Sequence, residues 1–162
     1  MMTELTQQRL KELLQYDPAT GVFTWLVGGH GVKVGNVAGA DNGSGYIRLS
    51  VDGRRGYKAH RLAWLYMTGE WPVGDIDHRD LDKANNAWAN LREATNSQNQ
   101  ANKTGRSESG FKGVSKDRNR FKAMISVNGK RIHLGSRSTP EEAHALYVAA
   151  ANDIHGEFAR AA

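Results

Sequence analysis

The chain contains no cysteine. That absence excludes disulfides and any zinc site built on thiolates, and it makes a reducing compartment unproblematic. No apolar run approaches the roughly 18 residues needed to cross a bilayer, and the polar N-terminus has no signal-peptide core. The expectation is a soluble intracellular protein. With 162 residues and 39% hydrophobic content, the chain has room for one or two small domains and a modest core.

Charge is present but uneven. Lys and Arg number 22 against 17 Asp and Glu, for a net +5. The stretch from Ala101 to Ser136 holds nine basic residues and two acidic ones, a net of +7, so the remainder sums to −2. A concentrated positive segment suits a polyanion, because neutralising phosphates releases their condensed counterions.

The pattern along the chain reads as a mixture of helices and short strands. Leu10, Leu13 and Leu14 follow the spacing of a buried helix face, broken by Asp17-Pro18 and Gly21. Residues 22–58 read as short strands with tight turns. Ile47, Leu49 and Val51 share one face, Tyr46 takes the other, and Asp52-Gly53 forms a hairpin. Residues 59–68 predict a helix stopped by Gly69. Asp75-Ile76-Asp77-His78 predicts a strand, and after a polar loop residues 90–94 predict another. Thr95 and Gln98 form a capping box for a following helix. Residues 103–109 have linker composition. Beyond them, strands through Phe121–Val127 and Ile132–Leu134 flank an Asn128-Gly129 turn, with Ile132 and Leu134 inward. A helix capped at Thr139 carries an apolar stripe of Ala143, Leu146, Tyr147, Ala150, Ala151 and Ile154.

Phosphodiester hydrolysis needs a base for the attacking water, positive charge on the phosphorane and support for the leaving oxygen. Asp77 and His78 can provide the first two if the carboxylate holds a divalent cation. As strand neighbours they point to opposite faces, so one site needs the substrate across the strand end or a bent strand. Asn90 follows His78 by 12 positions and Asn99 by 21. Asn99 falls in the first turn of the capped helix, where its carbonyl oxygen can complete a hard oxygen site with Asp77. Such a set suits Mg²⁺ or Mn²⁺. The bland readings are that His60 is a helix histidine bonded to the loop it packs against, and that Trp64, Trp71 and Trp88 are core. Asp80 with Asp82, and Asn85 with Asn86, read as turns. Arg61 reaches either a phosphate or an acidic loop residue.

The segment AHRLAWLYMTGEWP followed by IDHRDLDKANNAWANLREATNSQN resembles the HNH homing endonucleases of phages and introns, in their H-N-N subgroup. The resemblance implies a ββα-metal (His-Me finger) unit over residues 58–103. It makes His78 the general base and Asn90 the residue that orients His78 or its loop, with Asp77 and Asn99 as ligands of Mg²⁺ or Mn²⁺. One departure is Arg79-Asp80-Leu81-Asp82, which stands where an Ile-Asn-Gly-Asp turn is common and so lacks its glycine. The implied setting is the cytoplasm of a bacterium or a phage-infected host cell.

Residues 110–160 carry a second resemblance, to the APETALA-type DNA-binding domain of plant ethylene-response factors, a three-stranded antiparallel sheet on one helix. It implies that the sheet face away from the helix enters the major groove of double-stranded DNA. Arg131 would read guanine. Lys112, Lys116, Arg118, Arg120 and Lys122 would contact phosphates, with Ser115, Ser126 and His133 on the same surface. Ser115 and Ser126 replace the plant arginines and His133 a tryptophan, so the plant target does not transfer. The sequence therefore predicts an α+β chain: an N-terminal segment (1–57) packing on a nuclease core (58–103), a linker (104–109) and a DNA-binding domain (110–160). A monomer should nick and a homodimer could cut both strands. The rival is a non-catalytic DNA-binding transcriptional regulator. Structured-RNA binding lacks a recognition motif.

Overall fold

The computed structural model describes residues 4–29, 31–41, 43–102 and 107–159. It divides into two compact units, Met1–Glu93 and Ala94–Ala162. The architecture is α+β with several small antiparallel sheets.

The first unit begins with α1 (Gln7–Leu13), whose N-cap Thr6 accepts from the Arg9 amide and whose Leu10 and Leu13 are buried. The helix stops one residue earlier than the leucine spacing predicts. Leu14 is extended and opens β1 (Leu14–Tyr16), where a hairpin with β2 (Phe23–Trp25) buries it completely. Strands β3 (Ala40–Asp41), β4 (Ile47–Val51) and β5 (Arg54–Lys58) form a sheet in that order. The β4–β5 turn places Asp52 and Gly53 at positive φ, as a type I′ hairpin demands. Helix α2 (Ala59–Thr68) follows directly and ends on Gly69 at φ 87°. Its Leu62, Ala63 and Leu65 meet Leu10, Leu14, Phe23, Leu49 and Val51 in one core, with Trp25, Trp64 and Trp71 packed on its margin. Burying each large side chain contributes on the order of 1.5–3 kcal/mol. Beyond α2, β6 (Asp75–His78) pairs with β7 (Leu91–Ala94), and a 3₁₀ turn over Trp88–Asn90 leads into β7.

The second unit begins at the end of β7 and includes α3 (Asn96–Asn102). The Thr95–Gln98 capping box is present in both directions. Strands β8 (Val114–Asp117), β9 (Arg120–Val127) and β10 (Lys130–Arg137) form an antiparallel sheet with β9 central. Helix α4 (Pro140–His155), with a complete capping box at Thr139, packs on it. α3 is tied to this unit: the Asn128 amide donates to Ser97 Oγ, and Lys112 Nζ donates to the Ala101 carbonyl. Two apolar positions differ from the sequence reading. Ile132 pairs with buried Ile125 yet is 44% exposed, and a bulge between His133 and Gly135 shifts the strand beyond it. Ile154 is also exposed, while His155 is buried in its place on α4. The 100° step between successive helix residues is enough to exchange them. Residues 104–106 of the 104–109 linker lie outside the described residues, and among the described residues no helix is long and apolar enough to cross a membrane.

Gly113 sits at φ 73°, and a Cβ there would fall 2.0 Å from the ring of buried Tyr147. Gly113→Ala combines a left-handed alanine with an overpacked core, so it should cost the second unit about 3 kcal/mol. Urea denaturation followed by circular dichroism measures this. A loss below about 1 kcal/mol would mean the Tyr147 contact relaxes freely.

Candidate active site around His78

β6 carries Asp77 and His78 into two different surroundings, as strand alternation requires. Asp77 is 4% exposed, and its Oδ2 receives Arg92 Nε at 3.0 Å and Nη2 at 2.9 Å. Arg92 comes from the neighbouring strand β7 and holds the carboxylate in one orientation.

His78 is also buried, and its Nε2 lies 3.3 Å from Asn86 Oδ1. Asn86 Nδ2 donates to the Ala84 carbonyl, so its Oδ1 is the acceptor that faces the imidazole. That assignment puts the proton on His78 Nε2 and the basic lone pair on Nδ1. Burial pulls the His78 pKa below its ordinary value, while the Asn86 bond and the Asp80, Asp77 and Asp82 carboxylates act in the opposite direction. The ring is thus neutral near pH 7, and the nearby carboxylates favour the imidazolium form.

Asn86 is itself clamped from the N-terminal segment. Tyr16 Oη donates to its carbonyl at 2.7 Å, and a Cβ on Gly21 would fall 2.2 Å from its carbonyl carbon. The Trp88 amide donates to the Pro18 carbonyl at 2.9 Å. Residues 14–23 therefore buttress the loop that holds His78.

Asn90 does not bond His78. Its Oδ1 accepts from the Asp80 amide at 3.1 Å, and its Nδ2 donates to Asp80 Oδ1 at 2.9 Å and to the Asn85 carbonyl at 2.8 Å. Asn85 Nδ2 donates to Asp80 Oδ2 at 2.6 Å. Burial alone would raise the Asp80 pKa, but bonds from Asn90, Asn85 and the Asp82 amide bring it below the ordinary carboxylate range. Asp80, read from sequence as part of a solvated turn, is the acceptor hub of the loop. Leu81 sits in that loop at φ 69°, the left-handed conformation that a glycine adopts without steric cost.

His60 and Tyr46 complete the surroundings. The His60 and His78 ring centres are 5.0 Å apart, edge to face, and the Tyr46 ring lies 5.3 Å from His60 and 6.1 Å from His78. His60 Nδ1 is buried without a hydrogen-bond partner, so the expected bond from this ring to the loop is not made there. Burial, aided by His78, Lys58 and Arg61, lowers its pKa to about 3. Arg61 spends its guanidinium on the Pro72 and Gly74 carbonyls rather than on an acidic residue.

The other predicted residues lie in the second unit. Asn99 is on α3, half-buried, with its amide bonded to the Thr95 carbonyl. Among the described residues no three His, Asp or Glu side chains are grouped to hold a metal ion. The oxygen donors of Asp77 and of an amide such as Asn99 are nonetheless the kind a hard divalent cation takes. On the sheet, pairing of Ser115 with Lys122, Met124 with His133 and Ser126 with Arg131 puts these side chains on one face, opposite buried Val114, Ala123 and Ile125. Lys122 is paired with Asp117 at 2.8 Å, Arg120 reaches the Ser136 carbonyl, and Lys112 is turned to Ala101. Lys116 and Arg118 are exposed at the β8 end.

Residues 57–101 match the HNH endonuclease family model. A protein of Acanthamoeba polyphaga mimivirus, named as an uncharacterized HNH endonuclease, is 40% identical over 103 residues, covering 62% of this chain and 54% of that protein. Protein 3.8 of Escherichia phage T7 is 37% identical over 112 residues, covering 64% of this chain and 92% of that protein. The chain thus spans about half the mimivirus protein and nearly all of the phage one. No solved structure matches it.

Two outcomes follow from the geometry. Leu81→Val, β-branched at positive φ, should lower stability by about 1–2 kcal/mol in urea denaturation, whereas Leu81→Gly should not; equal effects would show the loop adapts. His60 and His78 both have depressed pKa values when folded, so the unfolded chain binds their protons first. Stability should be full above about pH 6.5 and fall as the pH drops from there towards about 3. Melting temperatures of His60→Phe should depend on pH less steeply than those of the natural protein; parallel curves would contradict the neutral buried His60.

Proposed function

Since this chain belongs to the HNH endonuclease family, enzymes that cleave DNA, we propose that it hydrolyses DNA phosphodiesters with His78 as general base. The observation that carries the reading is the buried imidazole whose Nε2 lies 3.3 Å from Asn86 Oδ1. His78 Nδ1 removes the proton from a water in line with the leaving 3′-oxygen. Asp77, Asp80 and Asp82 stabilise the imidazolium that results. Asn86 holds the tautomer, and Asn90 holds the loop through Asp80 and Asn85. By the resemblance, Asp77 and Asn99 are the candidate ligands of Mg²⁺ or Mn²⁺ in a ββα-metal arrangement. Such a cation, when bound, supplies positive charge to the phosphorane and the leaving oxygen.

The second unit supplies duplex DNA binding in the APETALA-type mode. What supports this is the net positive segment together with an exposed face that presents Ser115, Ser126, Arg131 and His133. Arg131 is the candidate for base reading, and Lys116, Arg118, Arg120 and Lys122 for phosphate contacts. Lys112, turned to Ala101, supports α3 instead.

Conversion of supercoiled plasmid to nicked circle with Mg²⁺ tests the reading. His78→Ala should lower the rate by about 10²–10⁴-fold, the usual contribution of a general base. Asn86→Ala should lower it less, and DNA binding should persist in both. If the natural protein binds DNA and does not nick it, the chain is a non-catalytic DNA-binding regulator.

A further inference from the structure

Two lysines converge on the Tyr46 ring from separate parts of the first unit. Lys58, at the junction of β5 and α2, places Nζ 4.7 Å from the ring centre, and Lys83, in the loop after β6, places Nζ 4.9 Å from it. The same ring is 6.1 Å from His78. The turn before Tyr46 is held by Asp41 Oδ1, which accepts from the Gly43 and Gly45 amides, and Lys83 Nζ also donates to the Ser44 carbonyl.

Among the described residues neither ammonium is paired with a carboxylate, in contrast to Lys122 with Asp117 and Arg9 with Asp52. Each ammonium is held at the ring by a cation–π attraction of about 0.5–1 kcal/mol, and two cations fixed at one ring make a local positive field that favours an anion beside them. Lys58 also borders a cavity of about 330 Å³ lined by Glu4, Arg54, Arg61 and the stacked Tyr57–Trp71 pair, three cations against one carboxylate.

We propose that Lys58 and Lys83, aligned by Tyr46, form a phosphate clamp that grips the DNA backbone beside His78. The proposal rests on DNA being the substrate of the first unit. It gives this unit its own hold on DNA, separate from the basic sheet of the second. Each ammonium neutralises one backbone phosphate, a contact that is independent of sequence.

The test is equilibrium binding of a duplex oligonucleotide to full-length His78→Ala protein at several salt concentrations, with Lys58→Gln and Lys83→Gln added singly and together. The slope of log K against log salt should become shallower by about 0.9 for each lysine removed, equally on unrelated sequences. Lys58→Arg and Lys83→Arg should restore it, which a merely structural defect would not allow. Unchanged slopes in both single variants and the double variant would overturn the clamp. Plasmid nicking by the natural protein is followed in parallel. Nicking with unchanged slopes leaves the nuclease reading intact and the clamp wrong; shallower slopes without nicking leave the clamp intact and the nuclease reading wrong.

Discussion

The contact between His78 Nε2 and Asn86 Oδ1 is the interaction on which the site depends. A buried imidazole is a poor cation, and burial has already moved His78 towards its neutral form. Which nitrogen is basic is then settled by the partner of the other one. Asn86 can be that partner only because its own amide is committed to Ala84 and its backbone is wedged between Tyr16 and Gly21. The hairpin near the start of the chain thereby positions Asn86, some 60 residues away in sequence, and through it His78 Nε2.

The loop between β6 and β7 solves a second problem. It must leave His78 in a set position, and it does so with polar side chains alone. Asp80 gathers Asn85, Asn90 and the Asp82 amide, so a flexible polar stretch becomes a closed network. The loop accepts a left-handed Leu81 to do this. Strain of that size persists only where surrounding bonds over-determine the backbone. Arg92 plays the corresponding role for Asp77: it compensates a buried carboxylate and orients it.

Much of this was legible in the sequence where short-range chemistry governs. Turns at Asp52-Gly53 and Asn128-Gly129, the caps at Thr95 and Thr139, and the Gly69 stop all appear where their residue types require. The strand bearing Asp77 and His78 was also readable, and the resemblance to HNH endonucleases agrees with the family match over residues 57–101. Long-range partners were not readable. Asn86 looked like half of an Asn-Asn turn, yet Tyr16, 70 positions away, sets its place. Arg92 gave no sign that it faces Asp77, because strand pairing decides that. Tyr46, Lys58 and Lys83 are unremarkable singly and become a cluster only when the start of β4, the end of β5 and the β6–β7 loop meet.

The central claim is that His78 is a neutral base with its proton on Nε2. Nitrogen-15 NMR of the histidine rings, with His78 assigned from a His78→Gln comparison, measures both parts at once. The account predicts an Nε2–H tautomer near pH 7 and a titration midpoint below 6.5. An Nδ1–H tautomer, or a midpoint at or above 6.5, would contradict it.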